Sequence, residues 1–145
     1  MSATLYVCGV MLDTVILVLD GADCGGAIPR AGALAARLGS SVVVIPVCSR
    51  DDAGFMQELA EQHLPALGTN GLTVKAEPAV EPRLAAPAIT EVARAHRAGL
   101  IVVARRAVPP TGDGVARGTG RELQLAAQCP VVSVPAPAMR AARAA

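Results

Sequence analysis

The chain has 145 residues, of which 52% are apolar and 17% charged, and its formal net charge is +1. It is long enough for one domain with its own core, too apolar for a disordered chain, and too neutral to hold nucleic acid by bulk electrostatics. One Tyr, one Phe, no Trp and two His exclude an aromatic platform for single strands and leave little for a histidine-built metal site.

Residues 3–19 are mostly apolar, but no Lys or Arg precedes Arg30 and Asp13 interrupts the run. Neither a signal peptide nor a membrane span is expected there. Residues 1–10 read as an N-terminal extension; an extra strand, a packed arm and a true start at Met11 stay open. TVILVLD (14–20) is a continuous apolar run, the mark of a strand buried on both faces. Ala27, Ala31, Leu34, Ala35 and Leu38 then line one face of a helix, with Pro29 in its first turn and Gly39 at its end. SVVVIPV (41–47) is the second strand. A second stripe, Met56, Leu59, Ala60, His63, Leu64 and Leu67, has Asp51 or Asp52 as cap, Pro65 to distort its last turn and Gly68 after it.

LTVKAEPA (72–79) alternates and carries Lys75 and Glu77, which suits an outer strand. The third stripe is Ala85, Ala88, Ile89, Val92, Ala93 and His96, with Pro87 as first helical residue and Gly99 at its end. LIVVAR (100–105) is the fourth strand. A short helix around Leu123, Ala126 and Ala127 follows, with Thr119 and Glu122 at the spacing of a capping box. VVSVP (131–135) is the last strand, and residues 137–145 read as a loose tail. The order βαβαβαβαβ predicts one α/β domain over residues 11–136, a mainly parallel sheet between two helical layers with right-handed crossovers.

The cysteines, Cys8, Cys24, Cys48 and Cys129, form no CxxC pair. Reduced thiols and a cytoplasmic location are expected. Cys24, in a Gly-rich loop near Asp20, is the expected exposed thiol, and Cys129 a small buried hydrophobe. His63 and His96 read as packed helix residues.

Ligands of open α/β sheets bind beyond the C-terminal strand ends, where strand order reverses. Asp20, at the end of the first strand, can accept bonds from ribose hydroxyls or a base; a loop-capping role explains it about as well. Residues 105–120 carry Gly112, Gly114, Gly118 and Gly120 and lead into the fourth helix, an arrangement that can cradle an anion on backbone N–H groups. Thr119 adds a hydroxyl, and Arg105, Arg106, Arg117 and Arg121 add charge. Asp113 opposes phosphate unless it turns away or helps hold a divalent cation. Taken alone, a long mobile loop is the slightly better reading. GxxxxGK[ST], GxSxG and HExxH are absent. No general base stands beside the loop, so a non-catalytic protein is expected, with slow incidental ATP hydrolysis left open.

The stretch TVILVLDGADCGGAIPRAGALAARLGSSVVVIPV resembles the opening of the universal stress protein family. EVARAHRAGLIVVARR is similar to its third helix and fourth strand, and GTGRELQLAAQCPVVSVP to its last helix and strand. The likeness spans roughly residues 11–135. It implies a Rossmann-like, adenine nucleotide alpha hydrolase-like fold with a five-stranded parallel sheet in the order 3-2-1-4-5. It also implies a homodimer through the last strand, here Val131, Val132 and Val134. Nucleotide-binding members hold ATP with the Asp matching Asp20, with Gly21 beside it, with backbone groups at Val47, and with a loop G-x2-G-x9-G-[ST] whose end matches Gly118-Thr119. Its first two glycines fall on Arg105 and Val108, and the Asp-Gly-Ser turn is Asp20-Gly21-Ala22. Gly112 and Gly114 would have to rebuild the cradle in another register. The resemblance thus implies a stress-response protein binding ATP or AMP, with Mg2+ as a possible companion and an unidentified protein partner. The alternative is an interaction module of the same fold that binds no nucleotide. A flavodoxin-like receiver is disfavoured, because the only lysine is Lys75, inside the third strand.

Overall fold

The computed structural model describes residues 5–7, 10–12, 14–67, 72–105 and 119–137. The chain opens with β1 (Leu5–Val7) and β2 (Val10–Leu12), paired antiparallel as a hairpin outside the main sheet. β3 (Thr14–Asp20) follows after one residue. A 3-10 turn over Ala22–Ala27 leads into α1 (Ile28–Leu38), and then come β4 (Ser41–Val47) and α2 (Ala53–Leu67). β5 (Thr73–Ala76), α3 (Pro82–Ala95), β6 (Leu100–Arg105), α4 (Thr119–Ala126) and β7 (Val131–Pro135) complete the order.

β3 to β7 form one sheet in the order β5-β4-β3-β6-β7, every pairing parallel. Numbered from one within the sheet, this is 3-2-1-4-5, with helices on both faces, the expected α/β architecture. The three central strands are continuous apolar runs because both of their faces are covered. Val15, Leu17 and Leu19 pack with Val42, Val44, Val102 and the α1–α2 residues Ala31, Ala35, Met56 and Ala60. Ile16 and Val18 pack with Val43, Ile45, Val47, Ile101, Val103 and, from α3 and α4, Ala85, Ile89 and Leu123. Each fully buried Val, Leu, Ile or Met side chain among these contributes about 1.5–3 kcal/mol.

The edge strand β5 is shorter than the 72–79 run and mostly exposed, with Lys75 and Glu77 joined by an ion pair of 3.4 Å. α2 is preceded by a 3-10 turn, Arg50–Asp52, in which the Ser49 hydroxyl donates to Asp52 Oδ2 at 3.2 Å. Asp51 and Asp52 sit before α2 and favour its N-terminal dipole. The helix runs through Pro65 to the buried Leu67. α3 starts earlier than the sequence suggests. Pro82, not Pro87, takes the first turn, and Pro87 lies inside the helix. Pro87 has no N–H to give the carbonyl four residues back, a loss tolerated because Ala85, Ala86 and Ile89 bury the flanking turns against the sheet. α4 begins at Thr119, so that residue is the first helical position rather than the cap.

Among the described residues no helix is long and apolar enough to cross a membrane.

Candidate functional site

Strand order reverses between β3 and β6, the position where an open α/β sheet leaves a crevice at its C-terminal edge. Asp20 ends β3 there. Its register partners are Val47 at the end of β4 and Arg105 at the end of β6. Directly paired residues of parallel strands share a face. Ile16, Val18, Val47, Ile101 and Val103 fix that face as the one covered by α3 and α4. Asp20 and Arg105 are half-buried, whereas Val47 is fully buried.

The backbone behind this triplet is tightly held. Gly21 adopts φ 90° and ψ 161°, a region almost restricted to glycine, and its N–H donates to the Val47 carbonyl at 2.8 Å. The Cys24 N–H returns to the Gly21 carbonyl at 3.2 Å. On the far side of β4, the Cys48 N–H donates to Val80 at 3.0 Å and the Val80 N–H to Pro46 at 2.9 Å. Among the described residues Gly21 is the donor to the Val47 carbonyl, which carries two lone pairs. At the other flank the Ala136 N–H donates to the Arg105 carbonyl at 2.9 Å. Carboxylate and guanidinium thus stand side by side on one sheet edge, next to the buried Val47. That set can take hydroxyl or amino donors at Asp20 and an anion at Arg105.

Of the residues singled out from the sequence, Asp20, Gly21 and Val47 come together here. Gly112, Gly114 and Gly118 lie outside the described residues; Thr119 opens α4. The role of Arg105 as direct neighbour of Asp20 was missed. The signal for it is the alignment of two strand ends, which becomes readable only once the register is known. Cys24 is a correction. It is fully buried rather than exposed, because the 3-10 turn folds inward and packs Cys24 and Ala27 into the core on the α1 side. Cys48 is also buried; burial, and then the charge of Asp52, pushes its thiol pKa up. Cys129 is half-buried, and burial raises its thiol too. Among the described residues no group of three His, Cys, Asp or Glu is placed to hold a metal ion.

No protein-family model matches the sequence, and no curated protein matches it significantly. Solved structures do match. A universal stress protein in complex with cAMP superposes with a TM-score of 0.65 at 20% identity, covering 87% of this chain and 98% of the other. The chain has the universal stress protein fold. A universal stress protein from Archaeoglobus fulgidus (TM-score 0.61, 18% identity) and UspA from Lactobacillus plantarum (0.57, 20%) each cover 85% of this chain and 98% of their own. At such identities the likeness establishes the universal stress protein fold, and residue roles have to be argued from this chain.

Proposed function

We propose that the chain is a non-catalytic universal stress protein that binds an adenine mononucleotide at the ends of β3, β4 and β6. The observation that carries this reading is the Asp20–Arg105 pair of register neighbours at the switch point, backed by the buried Val47. Asp20 accepts from the ribose hydroxyls or the base, and Arg105 takes the phosphate with its planar fork of donors. A side chain at position 105 stands where ATP-binding relatives carry the first loop glycine, so one phosphate suits the site better than three. A solved structure of the same fold holds cAMP, a nucleotide with a single phosphate, which supports this size class.

The test is a melting series with ATP, ADP, AMP and cAMP, each with and without Mg2+. A nucleotide that binds only the folded chain stabilises it by about 2.7 kcal/mol at a hundred times its Kd, a rise of roughly 5–10 °C for a chain of this size. AMP or cAMP should give the largest rise, and Asp20→Ala should abolish it. A flat response to all four would leave the interaction-module reading. One observation favours that second reading: β7 is an open edge with Val132 exposed, and Leu125 projects from neighbouring α4. Two copies joined edge to edge there would cover both side chains, and a monomeric mass by sedimentation would dismiss the pairing.

A further inference from the structure

At the opposite end of the sheet from Asp20, a cavity of about 250 Å³ lies between the last turns of α3 and α4 and the start of β7. Its place at the foot of the strands is fixed by two bonds: the Gly99 N–H donates to Thr14 at 3.1 Å and the Ile101 N–H to Pro130 at 3.0 Å. It is a half-open hollow: Ala93, Ala98 and Ala127 give it an apolar floor, and the exposed Arg94, Arg97 and Gln128 stand at its rim.

Arg97 is the unusual member. It sits at φ 53°, the only non-glycine residue with positive φ among the described residues. The bonds around it are those of a helix closed by a left-handed residue. The Ala98 N–H donates to Ala93 at 2.8 Å, Arg97 to Arg94 at 3.2 Å and His96 to Val92 at 3.0 Å. Glycine is the ordinary occupant of such a position, because a Cβ is strained there. Gly99, two residues on, shows that the chain has a glycine nearby but does not use it for this turn. Complementing the helix dipole does not explain Arg97, since Arg94 already does so from the last turn of α3. The closing bonds also occupy the Val92, Ala93 and Arg94 carbonyls, which would otherwise compete for the guanidinium groups. Among the described residues neither Arg94 nor Arg97 is paired with an acid.

We propose that this cavity is a binding site for a small phosphomonoester, separate from the strand-end site. Arg94 and Arg97 grip the phosphate oxygens from two sides, Gln128 donates its amide, and the alanine floor receives a short carbon body. A dianion with three terminal oxygens suits two guanidinium forks better than a carboxylate with two.

The experiment is an NMR titration of the ¹⁵N-labelled full chain with glycerol 2-phosphate at constant ionic strength, with acetate and glycerol as parallel titrants. The Ala98, Gln128 and Cys129 amides should shift and saturate with a dissociation constant of about 1 mM or tighter. Arg94→Gln and Arg97→Gly should each weaken that binding by about tenfold or more. Arg97→Gly should also melt about 2–4 °C higher without ligand, since it relieves the left-handed strain. Shifts that never saturate, shifts confined to Gly21, Val47 and Arg105, acetate binding equal to the phosphomonoester, or full binding by Arg97→Gly would each overturn the proposal.

Discussion

Gly21→Ala isolates backbone strain from steric crowding at the strand-end site. A Cβ at Gly21 would meet nothing within 4 Å, so the substitution fits in space. The obstacle is conformational: φ 90° with ψ 161° is essentially closed to a residue with a Cβ, at a cost of about 1–3 kcal/mol. The chain can bear that cost, or rotate the 20–21 peptide and give up the 2.8 Å bond from the Gly21 N–H to Val47. Either way stability falls, by roughly 3–9 °C in melting temperature for a domain of this size. Gly25→Ala is the matched control. Its Cβ also meets nothing within 4 Å, and its φ is not positive. That substitution should be neutral or stabilise by up to about 1 kcal/mol, since alanine restricts the unfolded chain. Urea denaturation of both variants reads the difference directly, and amide exchange at position 21 tells strain from a broken bond. Two variants of equal stability would falsify the argument that this turn is held in a glycine-only conformation.

Three further outcomes follow from the geometry. Arg105→Ala should weaken AMP or cAMP binding and narrow its margin over ATP, because the side chain both contacts the single phosphate and fills the space of a longer chain; calorimetry with the three nucleotides checks this, and an unchanged ranking counts against it. Gly39→Ala should destabilise by about 1–3 kcal/mol, since a Cβ there would lie 2.7 Å from Cγ2 of the fully buried Val15 and 3.2 Å from the Ser41 carbonyl oxygen; a melting temperature within a degree of the parent refutes it. Cys48 should resist alkylation in the folded chain, read by peptide mapping. Burial and Asp52 favour its neutral thiol, so it contributes stability below its ordinary pKa that is lost as pH rises above it. Labelling of Cys48 at neutral pH as fast as in urea would contradict this.

The sheet was legible because its physics is local. A strand covered on both faces has an apolar interior, and 14–20, 41–47 and 100–105 fall within the same limits in sequence and structure; the 131–135 run at the sheet edge keeps its limits too, though only Val134 is buried there. The edge strand β5 carries a weaker signal, since one side of it faces water. The start of α3 was misplaced because Pro82 and Pro87 both satisfy the first-turn rule. Only the burial of Ala85 and Ala86 decides between them. The end of α3 was less legible still. The periodic run points to Gly99 as the stop, whereas the left-handed residue is Arg97, for which no sequence rule speaks. Cys24 was misjudged because neighbouring glycines suggest an open loop, yet Cys24 and Ala27 are small and apolar enough to fold under. Asp20 and Val47 could be picked out singly. Their alignment with Arg105 depends on strand register, and the foot cavity depends on how two helix ends meet.

The buried 3-10 turn also decides from which side the strand-end crevice can be reached. Residues 22–27 pack over the ends of β3, β6 and β7 on the α1 face. A Cβ added at Gly26 would lie 3.4 Å from Cβ of Ala136 and 3.5 Å from Cδ of Pro137, so turn and outgoing chain are already in contact. On that face the turn covers the end of β3. Asp20, Val47 and Arg105 belong to the other face, the one packed by α3 and α4. The same inward fold that hides Cys24 therefore steers any ligand toward the one side on which the carboxylate and the guanidinium stand together. Gly26→Val should push against Ala136 and Pro137 and lower stability while leaving nucleotide affinity of the folded chain intact. Loss of affinity with unchanged stability would place the ligand on the α1 side instead.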